Sequence, residues 1–322
     1  YSSIQGGANA RYFGDISGAG TLIKDTAGND LRLFGNTTIS NIEINTGEIR
    51  GSSNVNSLGG AGTTIYLGDT TGGSNTRLRY GGTMGTLTTK AGIEVRAGST
   101  GTRTIANDGV NTENTDILLN DDVIVLDNSA ITLGGAISGS GGLTKDGAGS
   151  TTLTGVNSYG GTTTIDAGTL SLASGSSHSG SGAYTVNGGT LKIAHLVDLS
   201  SHAMTIGLGG VISPGNSPGT ASTGAQTWED GGTYLWEINA SNDAGGSVGG
   251  TTGWDWLDIT GALDLTNLSA GGFTIDIDSL TLGNVAGNAA GFGSYIQHDG
   301  IADYSFAIAS ADSFVDDYFD AS

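Results

Sequence analysis

The sequence predicts an all-β protein, a solenoid of short stacked strands with a C-terminal β-rich capping or association module. Three observations predict it. First, "TIDAGTLSL" (164–172), "TVNGGTLKI" (185–193) and "TIGLGGVIS" (205–213) align, with Gly168, Gly189 and Gly209 about 20–21 residues apart. Second, each unit alternates apolar and polar residues, the pattern of a half-buried strand. Third, helix signals are nearly absent, and only "AHLVDLSSHAM" (194–204) has room for a helical turn. A unit of this size cannot bury its own apolar face and must stack on its neighbours.

Further copies run along the chain at "EINTGEIRG" (43–51), "AITLGGAISG" (130–139) and, more loosely, "EDGGTYLWEI" (229–238). A second motif also recurs, "ISGAGTLIKDTAG" from Ile16 against "ISGSGGLTKDGAG" from Ile137, which makes Lys24 and Lys145 equivalent structural positions. Glycine between two short strands supplies a positive φ or a close backbone approach at a corner. With parallel strands about 4.8 Å apart, residues 1–210 form a rod of roughly ten rungs. Residues 211–220, "VISPGNSPGT", hold both prolines, Pro214 and Pro218. Each fixes φ and removes a ladder donor, so the stretch reads as the rigid last corner of the rod. Residues 221–322 form the acidic, tryptophan-containing C-terminal module.

Composition narrows the function. The 322 residues include 59 Gly and no Cys, and the formal net charge is −20. Absence of cysteine excludes a disulfide framework and thiolate metal sites. No run approaches the roughly 18 apolar residues of a membrane helix, so a membrane-spanning protein is not expected. The acidic excess argues against nucleic acid as a partner. Charge is also uneven: from residue 193 onward there are 16 acidic residues and no Lys or Arg, and all four tryptophans lie there. The chain starts at Tyr1 without a signal peptide, which fits a processed mature chain or an excised piece.

"GGLTKDGAGSTTLTGVNSYGGTTTIDAGTLSL" (141–172) resembles the autotransporter-associated β-strand repeat, also called the passenger-associated transport repeat. Lys145, Asn157, Tyr159 and Gly168 fit its pattern in one register with Leu143, Leu153, Gly161 and Leu170. "ISPGNSPGT" followed by "GGTYLWEI" and "WDWLDITGALDL" is similar to the end of such passengers, and to secreted proteins of the PEP-CTERM type. The resemblance implies an exported, right-handed parallel β-helix at the bacterial cell surface or released from it. It does not imply one activity.

Candidate chemistry is sparse. His195, Asp198 and His202 have spacing like a metal site, but they read as exposed loop residues without a further ligand. Lyases on β-helices need a basic proton abstractor, and the lysines read as structural. Asp276 and Asp278 satisfy the spacing of a glycosidase carboxylate pair. They equally describe the solvated face of a strand whose other face carries Phe273, Ile275 and Ile277. "LNDDVIVLDN" (119–128) clusters Asp121, Asp122 and Asp127. "DSFVDDYFD" (312–320) clusters Asp312, Asp316, Asp317 and Asp320, a density of hard oxygen ligands that would suit Ca²⁺. Neither matches a known calcium loop, and no other cofactor is expected. Alternation in "WDWLDITGALDL" points Leu257, Ile259, Leu263 and Leu265 inward and leaves Trp256 and Asp258 outward. Trp228, Trp236, Trp254 and Trp256 are the interface or ligand candidates, reading as a cap or contact surface before a sugar platform.

The expected function follows: a non-enzymatic extracellular structural protein, a stiff rod that self-associates end to end. Homo-oligomers or filaments in a surface layer, fibre or biofilm matrix are the expected assemblies. The alternative is an adhesin or glycan-binding passenger with a polysaccharide partner. A β-helical lyase or glycoside hydrolase stands behind both.

Overall fold

The structure is a computed structural model that describes residues 10–52, 54–215, 218–241, 245–290 and 307–315. Among the described residues there are strands and no helix, and the strands pair almost wholly in parallel. The fold is a right-handed parallel β-helix. The chain forms two compact units, Tyr1–Thr169 with Ser177–Gly182 and Leu170–Ser176 with Ala183–Ser322.

In the first unit each turn contributes strands to three faces. One face stacks Asn41–Ile44, Thr64–Leu67, Gly92–Val95, Ile117–Leu119 and Ile137–Gly139. The second stacks Gly47–Gly51, Thr76–Tyr80, Arg103–Asn107, Val123–Asp127, Leu143–Asp146 and Thr163–Ile165. The third stacks Gly85–Thr86, Val110–Glu113, Ala130–Leu133 and Ser150–Leu153. Alternation decides what enters the core. Ile49, Leu78, Ile105 and Val125 form one buried column, each stacked on the equivalent residue of the next turn. Burial of each such side chain is worth about 1.5–3 kcal/mol.

Glycine is required where turns approach at the corners. Gly168 has a φ of 65°, and a Cβ there would lie 2.3 Å from the Gly149 carbonyl oxygen and 2.8 Å from Lys145 Nζ. No side chain fits that corner.

The second unit repeats the plan. Tyr184–Val186, Met204–Ile206 and Gln226–Trp228 stack on one face, and Thr190–Ile193, Val211–Pro214, Thr233–Ile238 and Thr274–Ser279 on another. Asp198–Leu199, Thr220–Thr223, Trp256–Asp264 and Ala309–Val315 form the third. Pro214 is buried and pairs with Ile193 at the end of its strand, followed by Gly215 with a φ of 78°. Pro218 is buried as well. Proline is tolerated there because the ladder donor it lacks falls at a strand end.

Candidate functional site

The last turns of the second unit gather most of the aromatic residues singled out above. Strand alternation turns Tyr234, Trp236 and Ile238 inward on Thr233–Ile238, and all three are buried. Trp228 stacks on Phe273 with ring centroids 4.2 Å apart and meets Tyr234 edge-on at 6.2 Å. Each indole nitrogen of the buried tryptophans has a partner. Trp228 donates to Gln226 Oε1 (2.7 Å), Trp236 to the Asp255 carbonyl (3.0 Å) and Trp254 to the Ala307 carbonyl (3.1 Å). Buried indoles need such partners, and three of the four tryptophans are therefore core residues. Trp256 is half-buried on the outward side of its strand, beside Asp258, while Leu257, Ile259 and Leu263 are buried.

Asp255, between the two tryptophans of "WDW", is fully buried. Its carboxyl accepts from the backbone amides of Gly219 (2.7 Å) and Glu237 (2.8 Å) and so ties three segments together. Burial pushes its pKa up to about 8, against the opposing pull of those two amides. No sequence pattern marked this residue.

The next strand outward is Thr274–Ser279. In register, Ile275 stacks on Tyr234 and Ile277 on Trp236, so both occupy core columns. Yet Ile275 is 43% and Ile277 65% exposed. Leu263, near the end of Trp256–Asp264, pairs with Gln226 of the first face, and there Phe314 stacks on Leu263 and is 62% exposed. Core positions stand open here because, among the described residues, no further strand pairs beyond Thr274–Ser279 or Ala309–Val315. Asp276 and Asp278 are exposed too, so this strand has no buried face among its described neighbours.

The remaining sequence candidates fall elsewhere. Asp312 lies on Ala309–Val315, while Asp316, Asp317 and Asp320 lie outside the described residues. Among the described residues no group of acids and histidines is arranged to hold a metal ion. Asp121 pairs with Arg103 (2.8 Å), Asp122 accepts from Gly142 N (2.7 Å) and buried Asp127 accepts from Asn107 (2.9 Å). His202 is buried edge-on to Tyr184 rather than exposed on a loop, and His195 accepts from Thr220 N (3.1 Å).

Lys145 occupies a core position between Val125 and Ile165. Its ammonium turns to the corner and donates to the carbonyls of Asp146 (2.9 Å), Gly147 (2.8 Å) and Ala167 (3.2 Å). Burial lowers its pKa. Lys24 donates to the carbonyls of Thr26 and Thr46, the same offsets along the chain. It stands on a different face, in register with Ile44.

Residues 143–172 and 167–193 match the passenger-associated-transport-repeat model. Residues 143–193 carry passenger-associated transport repeats. Within them Lys145 is the corner clamp just described. Tyr159 is buried with its hydroxyl 2.7 Å from Thr163 Oγ1, and Asn157 donates to the Gly155 carbonyl (3.1 Å). The repeat's polar signature thus fixes corners from inside rather than presenting a reactive surface. A protein described as Adhesin BmaC autotransporter, from Brucella suis biovar 1 (strain 1330), is 40% identical over 91 residues. That stretch covers 28% of this chain and 2% of the relative, so the chain corresponds to a small part of that protein's length.

Proposed function

We propose that the chain is a non-catalytic β-helical segment of an exported bacterial surface protein, and that it joins to further copies through the exposed apolar positions of Thr274–Ser279 and Ala309–Val315 in its second unit. The observation that carries this reading is the exposure of Ile275, Ile277 and Phe314 at positions whose equivalents one turn earlier are core. Apolar columns and a parallel edge that no other described strand pairs together form a template for another chain's strands. A contact between unlike ends propagates, so head-to-tail oligomers or filaments are the expected products. The polar signature of the repeats supports a structural role over an enzymatic one, since its lysine and asparagine are occupied by backbone carbonyls.

Sedimentation velocity and negative-stain imaging of the purified chain test this. Concentration-dependent oligomers or fibres are expected, and Ile277→Asp combined with Phe314→Asp should return the protein to monomers with unchanged circular dichroism. A wild-type chain that stays monomeric at high concentration would sink the proposal.

An adhesive role is the second reading. It is favoured by the similarity to a protein named an adhesin autotransporter. Both readings place the chain outside the bacterial cell, and they are compatible in one molecule.

A further inference from the structure

All seven arginines of the chain lie between Arg11 and Arg103. Residues 1–103 hold nine basic and seven acidic side chains, whereas residues 104–322 hold two lysines and twenty-four acids. In an otherwise strongly acidic protein this is the one stretch with a positive balance. The β-helix organises it further. Arg11 pairs in register with Arg32, Arg32 with Arg50 and Arg50 with Arg79, which makes an arginine column on the outer face of the first unit. Successive members are one strand apart, about 4.8 Å. Two residues along the same strands runs a second outward column, Asp30, Glu48, Arg77 and Thr104.

The acids of this face saturate Arg79 but not the other arginines. Asp108 holds Arg79 by two bonds (Nε 2.8 Å, Nη2 2.9 Å) and reaches Arg50 only at 3.3 Å, and Glu48 is shared by Arg77 and Arg79 at 3.4 Å each. Arg32 meets Asp30 only at 3.6 Å. These longer distances lie beyond a good N–H···O bond. Arg77 is the most exposed of the paired arginines, at 40%, and Glu48 Oε1 has no hydrogen-bond partner although the side chain is 8% exposed. Beside them is a cleft of about 260 Å³ bounded by Asp30, Glu48, Asn75, Arg77 and Thr102, with Gly28 and Gly47 on its wall. Its lining is hydroxyl, amide, carboxylate and guanidinium, with no large apolar side chain. Such a lining suits a polyhydroxylated ligand. The volume is below the roughly 300–1,000 Å³ of drug-sized sites, which leaves room for one sugar ring and not for a folded partner.

We infer that this cleft and the arginine column beside it bind a linear acidic polysaccharide, one uronate ring seated in the cleft with its carboxylate on Arg77 and neighbouring carboxylates along Arg50 and Arg32. Guanidinium groups match carboxylates in a planar, two-pronged geometry. The strand spacing is close to the length of one pyranose residue in an extended chain, so a polymer lying along the column meets a cation at each step. The competing occupant is the acidic C-terminal region of a second copy. Its paired carboxylates Asp276 and Asp278 follow one another along a single strand instead of stepping from strand to strand. The periodic polymer fits the column better. This inference rests on the adhesive reading and is independent of the contact through Thr274–Ser279 and Ala309–Val315.

The test is calorimetric titration of the full chain with polygalacturonate and with the same polymer after its carboxyl groups are reduced, at low and near-physiological salt, for the wild type and Arg77→Gln. Wild type should bind the acidic polymer and not the reduced one, and binding should weaken as salt screens the charges. Arg77→Gln should lose about tenfold or more in affinity with unchanged circular dichroism. Equal binding of the reduced polymer, no binding of either, or full affinity in Arg77→Gln would each overturn the proposal. The wild-type result against the reduced polymer decides it even if the variant misfolds. Sedimentation of the same samples without polymer separates the alternatives. Self-association lost in Arg77→Gln assigns the column to a second copy, whereas glycan binding by a strictly monomeric chain upholds this site and removes only the contact through Thr274–Ser279 and Ala309–Val315.

Discussion

The two units share one backbone plan and differ in how they satisfy buried charge. In the first, Lys24 and Lys145 donate to backbone carbonyls, and other buried cations meet anions. Lys90 and Glu113 are both fully buried, 2.6 Å apart, and Tyr80 donates to the same carboxylate (2.9 Å). Every Lys or Arg ion pair among the described residues belongs to this unit. The second unit has Lys192 as its single basic side chain of that kind, and its buried acid Asp255 is held by backbone amides and by a raised pKa. The lesson is that a β-helix specifies apolar columns but leaves the chemistry of its buried polar positions open.

The largest expected effect tests the first unit. Lys90→Met leaves Glu113 buried without its cation, which should cost about 3–5 kcal/mol in urea unfolding. Adding Glu113→Leu should recover most of that loss. If the single variant matched a surface substitution, the contrast between the units would break. Corner geometry, common to both, comes next. Gly168→Ala puts an L side chain at positive φ against the Gly149 carbonyl, and a loss of at least about 1–2 kcal/mol should appear as a lower Cm.

The pH dependence sharpens the comparison from the other side. The folded pKa of Asp255, about 8, lies above its value in an unfolded chain. Between about pH 4 and about pH 8 the folded protein therefore holds a proton that the unfolded chain has released. Its contribution makes stability fall as pH rises through this window and level off above it. Thermal melts of the wild type minus those of Asp255→Asn should show that slope. Identical pH profiles would remove the proton from Asp255. The smallest effect belongs to Asp276→Asn, an exposed carboxylate that should change stability by less than about 0.5 kcal/mol. Retained polygalacturonate binding in that variant would further separate the acidic face from the arginine cleft.

Much of the fold was legible because its signals are local. Alternation in "TIDAGTLSL" buries Ile165, Leu170 and Leu172, and the glycine between them is the corner. The polar pairings were not legible, since they link residues from different turns. Turn length varies, with Ile65 stacking on Ile93 but Ile117 on Ile137, so chain spacing does not announce that Arg79 meets Asp108 or Lys90 meets Glu113. Asp255 looked like one more acid among sixteen, because nothing in "WDW" tells which residue faces inward. His202 read as a loop histidine for the same reason.

By itself the sequence determined the rung, its glycine corners and the uneven charge, all properties of residues within one turn of each other. Only the tertiary structure decided which side chains share a column, because stacking joins residues that the intervening loops have separated. That is why Lys145 lies between Val125 and Ile165 with its ammonium in a ring of carbonyls, and why four scattered arginines become one stripe. It is also why Ile275 and Ile277, patterned as core, stand exposed. An apolar residue is buried in this fold only when another turn lies over it.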